Sequence, residues 1–548
     1  MQFADFAERA EKIESLSGDH ETVDEVASLL SDADDVRVAV RFVQGRVFPA
    51  WDGRKIDVGP SLLYDALALA GEASAEEIEK HVAEKGDIGD VAREMDFGGQ
   101  QTFGTSERSL LDVYAAFERL ASKEGEGSQE SKTRELGNLF MDASPRSAKY
   151  LARLVLGEMR LGVGEGTVRD AVVEAFDVEG GLVERGLMLT NDTGEVAEVA
   201  RDESDEGLTS LEMVIGRPVK PMLAQTTTVE NVFADLDADE AVVQTKYDGA
   251  RVQIHSGDET RLFSRSLEDL TASLPDIVER VEEVVGDGYL ILDAEIVAVS
   301  DEEPLPFQEV LRRIRRKYRI EEMRDEVEVE LYVFDILYDG EDGAVIDETL
   351  EERTDRLADA VEKEAVARTS VVSDREAVRR DENKALESGH EGVVVKKSGS
   401  TYSPGRRGKN WLKIKPEPET LDLVVTGGEW GEGRRASLVG SYLLSVRSEE
   451  GEGYETVGKV ATGITDEKLE ELTERFIDDE FVVSEDGKEI EFQPAVVFEV
   501  GYEEIQSSPV YSSGYALRFP RFLRVRDDKS VGDADTLERL ERLYKEND

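Results

Sequence analysis

A lysine at the end of an apolar run, followed at once by an Asp-Gly pair, can do covalent chemistry. Residues Lys246 to Arg251 read Lys-Tyr-Asp-Gly-Ala-Arg and directly follow the strand-like run Ala241 to Thr245. A strand ending there holds the amine at a sheet edge beside a tight bend. An amine held in place is a candidate nucleophile once its proton is removed. The same hexapeptide also suits an ordinary hairpin turn with a solvated lysine, so other residues must decide.

Several further charges sit inside β-type runs, where an unpaired charge is costly. Glu295 lies in Leu290 to Val299, and Glu391 immediately precedes Gly392 to Val395, a run that ends in Lys396 and Lys397. Lys413 and Lys415 alternate with Leu412 and Ile414, which puts both lysines on one face of a strand. Phe334 stands beside Asp335 within Tyr332 to Tyr338. Taken singly, each charge also suits a strand end in water.

The elements that must position these residues fall into three stretches. Residues 1–208 read as helical, with apolar residues at helical spacing in Phe3 to Leu16, Thr22 to Leu30, Leu110 to Leu120 and Ala148 to Met159. Arg146, Lys149, Arg153 and Arg160 share one helix face, a basic stripe suited to phosphate contacts or to internal ion pairs. Arg201 to Gly207, mostly acids and small residues, reads as a linker. Residues 209–416 mix short β runs with helices and are α+β. Pro416 and Pro418 mark a second boundary. In residues 417–548 about five strands (421–426, 438–446, 456–462, 496–501 and 519–526) and one helix over Asp466 to Phe476 predict an OB-type barrel.

The bulk composition narrows the chemistry. A chain of 548 residues without cysteine has no disulfide, thiol nucleophile or thiolate zinc site. With four histidines, metal chemistry falls to carboxylates and a hard ion such as magnesium. No apolar run is long enough to cross a bilayer, and Met1 to Arg9 has no signal-peptide character, so a cytoplasmic protein is expected. The formal charge of −57 is spread along the whole chain. Such a surface repels itself unless ions screen it, as in a halophile's cytoplasm.

In order, Lys246-x-Asp-Gly-x-Arg251, Phe263-Ser-Arg265, Asp293-x-Glu295, Val333-Phe334-Asp335, Glu391-Gly-x-x-x-Lys396 and Lys413-x-Lys415 resemble the motifs of the covalent nucleotidyltransferases. The run Leu517 to Lys529 resembles that superfamily's C-terminal motif in DNA ligases. Ala148 to Val163 resembles the DNA-binding domain of archaeal and eukaryotic replicative ligases. The resemblance covers almost the whole chain and is to the archaeal ATP-dependent DNA ligases. It implies an all-α DNA-binding domain, an α+β nucleotidyltransferase (ATP-grasp-like ligase) domain and a β-barrel OB-fold domain.

The resemblance also implies roles. Lys246 would take AMP from ATP as a phosphoramidate, AMP would pass to the 5′-phosphate of a nick, and the 3′-hydroxyl would displace it. Arg251 and Arg265 would bind ribose and phosphate oxygens, Phe334 would stack on adenine, and Glu295 would meet the ribose near the metal. Glu391 would be a magnesium (Mg2+) ligand, and Arg407, Lys413 and Lys415 would contact the α-phosphate. Arg526 and Lys529 would orient the pyrophosphate leaving group. Gln244 stands where many relatives carry the Glu that reads the adenine amino group; an amide oxygen can accept the same hydrogen bond. The partner would be nicked double-stranded DNA, met by a monomer in replication, repair and recombination. Arg146, Lys149, Arg153 and Arg160 would touch its phosphates. The island Arg312, Arg313, Arg315, Arg316 and Lys317 is a second phosphate contact or an exposed helix face. Gln100-Gln-Thr-Phe103-Gly104 sits where archaeal relatives carry a sliding-clamp peptide, without the second aromatic. The rivals are a capping guanylyltransferase or RNA ligase, which the helical N-terminal stretch disfavours, and a non-catalytic DNA-binding module, which the intact lysine disfavours.

Overall fold

Phe3, Phe6, Ala7, Ala10 and Ile13 recur at steps of three and four, and all five are buried in the helix Phe3–Glu14. This pattern builds the whole N-terminal stretch, in which helices from Phe3–Glu14 to Thr193–Thr209 share one apolar core. Local chemistry fixes their starts. Ser74 with Glu77 and Ser109 with Asp112 form reciprocal capping boxes. The computed structural model describes residues 1–97, 108–125, 127–141, 143–286, 288–300, 303–315, 320–416, 419–431, 435, 438–448, 453–478 and 481–546. The clamp-like peptide Gln100 to Phe103 and the island's Arg316 and Lys317 lie outside the described residues.

The expected linker Arg201 to Gly207 is instead part of the helix Thr193–Thr209. Its acids face water while Val196, Ala197, Ala200 and Leu208 bury the other side. The break that composition suggested is a kink at Ser204, whose φ is +55°.

The central stretch holds two sheets. Its strands are β1 (Leu223–Thr226), β2 (Ala241–Lys246), β3 (Ala250–Ser256), β4 (Arg261–Ser264), β5 (Leu290–Ser300), β6 (Glu303–Pro304), β7 (Glu328–Asp339), β8 (Gly343–Ala344), β9 (Thr369–Val372), β10 (Gly392–Lys397) and β11 (Arg407–Ile414). One sheet runs β1-β11-β10-β2-β9; the other runs β4-β3-β5-β7-β8, with β6 beside β5. Val243, Val393, Val395, Leu412 and Ile414 bury one face of the first sheet together with Val232 and Val378 of two helices. Its opposite face looks toward the second sheet, where Trp411 and Tyr402 pack with Ile291, Leu337 and Phe334. The two sheets therefore face each other across Trp411, Tyr402 and Phe334.

The helical and central stretches form one compact unit, Met1–Lys415, and Pro416–Asp548 forms another. In the second unit the strands are β12 (Glu419–Trp430), β13 (Val439–Arg447), β14 (Tyr454–Val460), β15 (Val482–Asp486), β16 (Glu489–Phe492), β17 (Val497–Tyr502), β18 (Glu504–Ser507), β19 (Tyr515–Arg518) and β20 (Arg521–Val525). The pairing β14-β13-β12-β17-β20 returns to its start through the bridge between Thr462 and Arg521. The helix Asp466–Asp478 packs Leu469, Leu472 and Phe476 into the enclosed core. The hairpins β15–β16 and β18–β19 were not expected.

Candidate active site

Strand register places the chemistry-bearing residues in rows. Across β2 and β10, Lys246 stands opposite Gly392, Gln244 opposite Val394 and Val242 opposite Lys396. Across β10 and β11, Val394 faces Lys413 and Lys396 faces Trp411. Residues directly opposite in an antiparallel pair share a face, and so do residues two apart along a strand. One face thus carries Lys246, then Gln244, Val394 and Lys413, then Val242, Lys396 and Trp411.

Two glycines let the backbones close around Lys246. A Cβ on Gly249 would lie 2.3 Å from the Ile296 carbonyl oxygen, and one on Gly392, whose φ is +131°, 2.3 Å from that of Ile414. The amide of Glu391 donates to the Lys246 carbonyl (3.0 Å), which brings the Glu391 carboxylate to the lysine. One Glu391 oxygen forms ion pairs with both Lys246 and Lys415. Burial pushes this acid up, but the two ammonium groups override it and hold it at about 2.

Two more carboxylates crowd the same place. Burial, and then the charge of Glu391, pushes Asp248 up to about 6; its carboxylate accepts from the Phe307 amide at 3.3 Å. Burial pushes Glu295 up to about 7, although Lys246 and Arg251 pull it down. Among the described residues no group of three or more such side chains is arranged to hold a metal ion. Magnesium needs no such cage: it keeps waters and takes one or two carboxylates with substrate phosphates. Oxygen donors that raise one another's proton affinity suit that ion, and Glu391 and Glu295 are the residues that would hold it.

Arg251 is fixed from below. Its Nε donates to Asp293 (2.8 Å) and Nη1 to the Met222 carbonyl (2.7 Å), and Tyr402 donates to Asp293 (2.7 Å). Its guanidinium lies 5.3 Å from the centre of the Phe334 ring. Gln244, buried, donates its amide to the Phe334 carbonyl and to Thr369 (both 3.3 Å). This leaves its oxygen as the acceptor. Arg265 and Arg407 are exposed, and no contact joins either to Lys246 among the described residues. In the second unit Arg526 donates to Asp422 (2.8 and 3.1 Å), and Lys529 pairs with the same carboxylate.

The basic stripe is differently placed from the sequence expectation: the helix is Pro145–Val155, and Arg160 lies past its end with φ +56°, so it does not share the helix face of Arg146, Lys149 and Arg153. Lys149 and Arg153 are buried and paired with Glu14, Asp87 and Asp90. Their charges are consumed inside the helical bundle and are not presented to phosphates. Arg146 and Arg160 are about half exposed but pair with Glu8 and Glu11, and with Asp87 and Glu158. Arg313 of the second island is also buried and pairs with Asp276.

Three family models match in order: a DNA ligase N terminus over 2–173, an ATP dependent DNA ligase domain over 221–415, and an ATP dependent DNA ligase C terminal region over 435–529. A DNA ligase of Natronomonas pharaonis is 54% identical, over 99% of this chain and 100% of its own. The chain belongs to the ATP-dependent DNA ligases. A DNA ligase of Archaeoglobus fulgidus is 46% identical over 100% of this chain and 99% of its own. A solved structure titled Pmar-Lig_PreS3 shares the fold (TM-score 0.59) at 15% identity, covering 95% of this chain and 99% of that one. Sequence reasoning left four residues of this ligase without a role: Asp248, Asp293 and Tyr402 in the first unit and Asp422 in the second. Asp248 and Asp293 stood inside the quoted motifs as acids next to a turn or in a strand. Tyr402 and Asp422 carried no signal, because their partners lie more than a hundred residues away in sequence.

Proposed function

We propose that this ligase seals 5′-phosphate/3′-hydroxyl nicks in duplex DNA through a lysyl-AMP intermediate on Lys246. The observation that carries the reading is the ion-paired cluster Lys246–Glu391–Lys415, which gathers at the end of β2, just before β10 and just after β11, beside the row of Gln244 and Lys413. In the first step the deprotonated Nζ of Lys246 attacks the α-phosphorus of ATP. A nitrogen–phosphorus bond forms, and the bond to pyrophosphate breaks. Lys413 and Lys415, with Arg407 and Arg265, balance charge that grows on the phosphate oxygens. Arg251, held by Asp293, meets the sugar-phosphate, and Glu295 meets the ribose. Phe334 stacks on adenine, while the Gln244 oxygen accepts from the adenine amino group. Glu391 and Glu295 would hold magnesium, which would supply charge screening on phosphate oxygens. Arg526 and Lys529, kept together by Asp422, orient pyrophosphate. In the second step the nick's 5′-phosphate oxygen displaces Lys246 from the adenylyl phosphorus. In the third the 3′-hydroxyl attacks the 5′-phosphorus and AMP leaves.

The closed five-strand ring of the second unit supports its reading as an OB-type barrel. Arg146 and Arg160 remain the stripe residues that could reach DNA; the clamp-binding and monomer readings stay as the sequence implied them. The decisive experiment is incubation of Lys246→Ala with labelled ATP and magnesium at high potassium chloride. The variant is expected to fold and to carry no label. Acid-labile AMP persisting on it would sink the assignment.

A further inference from the structure

Beneath Phe334 lies a layer of charge in which three cations, Arg251, Arg353 and Lys396, meet two buried carboxylates, Asp293 and Asp335. Asp293 is satisfied by Arg251 and Tyr402, and Asp335 by Arg353, whose Nε and Nη2 donate at 2.7 and 3.1 Å. The third cation, Lys396, is 1% exposed, and its Nζ has no hydrogen-bond partner. The nearest carboxylate, that of Asp335, is 4.0 Å away. Its closest neighbours are rings: Nζ lies 3.8 Å from the centre of Trp411 and 4.9 Å from that of Phe334. The buried Trp411 Nε1 is also without a partner.

A buried ammonium without a hydrogen bond is expensive, and an apolar side chain of similar volume at such a site is commonly neutral or stabilising. Stability therefore does not account for Lys396. Its position in the rows does bear on the site: it lies one row below Gln244, Val394 and Lys413, against the ring read above as the adenine platform. A cation on one face of an aromatic ring draws on the ring's π density. That makes the other face a better partner for an electron-rich purine.

We propose that Lys396 is a positioning residue for the adenine base, acting through the Phe334 and Trp411 rings. This rests on the lysyl-AMP reading of the site. Burial lowers the amine to about 7, while Asp335 and Asp293 raise it and Arg353 and Arg251 lower it, so the charge is present under mildly acidic conditions.

The test measures ATP and inorganic tripolyphosphate binding by calorimetry in a Lys246→Ala background, where no covalent step intervenes, at pH 6.5 with and without Lys396→Met. Lys396→Met is expected to weaken ATP about tenfold, leave tripolyphosphate within twofold, and leave the melting temperature unchanged or higher. Equal loss for both ligands, or no loss for ATP, overturns the proposal. If the Met variant does not fold, Lys396→Gln takes its place, with the same outcomes deciding. Labelling of Lys246 in the otherwise unaltered chain tests the underlying reading separately. A labelled Lys246 with unaltered ATP affinity in Lys396→Met would leave that reading standing and remove this one.

Discussion

Glu295 is a carboxylate that the fold holds against its own ionisation. Its folded value of about 7 lies above the 4.5 of a free glutamate, with burial as the leading cause. Between those values the unfolded chain releases its proton while the folded chain keeps it. Glu295 therefore favours folding below about pH 4.5, and that contribution is lost as pH rises to about 7. Glu295→Gln removes the dependence. The variant should match the parent's stability near pH 4.5 and exceed it by roughly 1–3 kcal/mol at pH 8. Denaturant titrations at the two pH values check this. A variant no more stable at pH 8 would mean that the acid is not held against ionisation. The same variant should lose self-adenylylation, the trade between stability and activity expected where charge is stored for a substrate.

At the scale of elements, periodic and motif-bearing segments were legible and their partners were not. The strand–lysine–turn at Lys246, the alternation Trp411 to Lys415 and the five strands of the second unit's ring all follow from local pattern, since period and turn chemistry are written in adjacent residues. The acids of Thr193–Thr209 misled because composition alone cannot show that Val196, Ala200 and Leu208 bury one face. The basic stripe misled for a related reason: helical spacing shows neither that the helix stops at Val155, before Arg160, nor what covers the face that Arg146, Lys149 and Arg153 share. Glu14 comes from the helix Phe3–Glu14, and Asp87 and Asp90 from the cap and first turn of Ile88–Glu94. Arg153→Glu should therefore cost about 3–5 kcal/mol by stranding the buried Asp87 beside a new negative charge, and thermal melting should show it. Arg146→Glu, at an exposed pair, should cost less than about 1 kcal/mol. If Arg153→Glu melts like the parent and only weakens nick binding, the stripe is a phosphate surface after all. Gly392→Ala tests the rows themselves. Its φ of +131° and the 2.3 Å approach to the Ile414 oxygen leave no room for a Cβ. We expect a loss of roughly 2 kcal/mol or more and at least a tenfold drop in self-adenylylation, read by labelling, as β10 shifts from β11. Full labelling would show that the row geometry is not required.

For the whole molecule, the 123 acids against 66 bases set the conditions under which these elements hold together. The buried pairs Arg41–Asp192, Arg153–Asp87 and Arg353–Asp335 are little screened by salt. The surplus acids on the surface are strongly screened, with a Debye length of about 10 Å at 0.1 M falling to about 3 Å at 1 M. Raising potassium chloride from 0.1 to 2 M should therefore raise the melting temperature, while an equal osmolality of an uncharged sugar should raise it less. DNA binding responds in the opposite direction, because each phosphate contact releases a counterion and loses affinity as salt rises. Self-adenylylation needs no DNA and should climb with salt to a plateau. Nick sealing should climb, peak and then decline. The two assays, run on one preparation over the same salt series, separate the terms. If sealing and self-adenylylation follow one curve, DNA affinity does not limit the reaction and the phosphate contacts are few. If neither rises above 0.1 M, the −57 charge is not what governs stability.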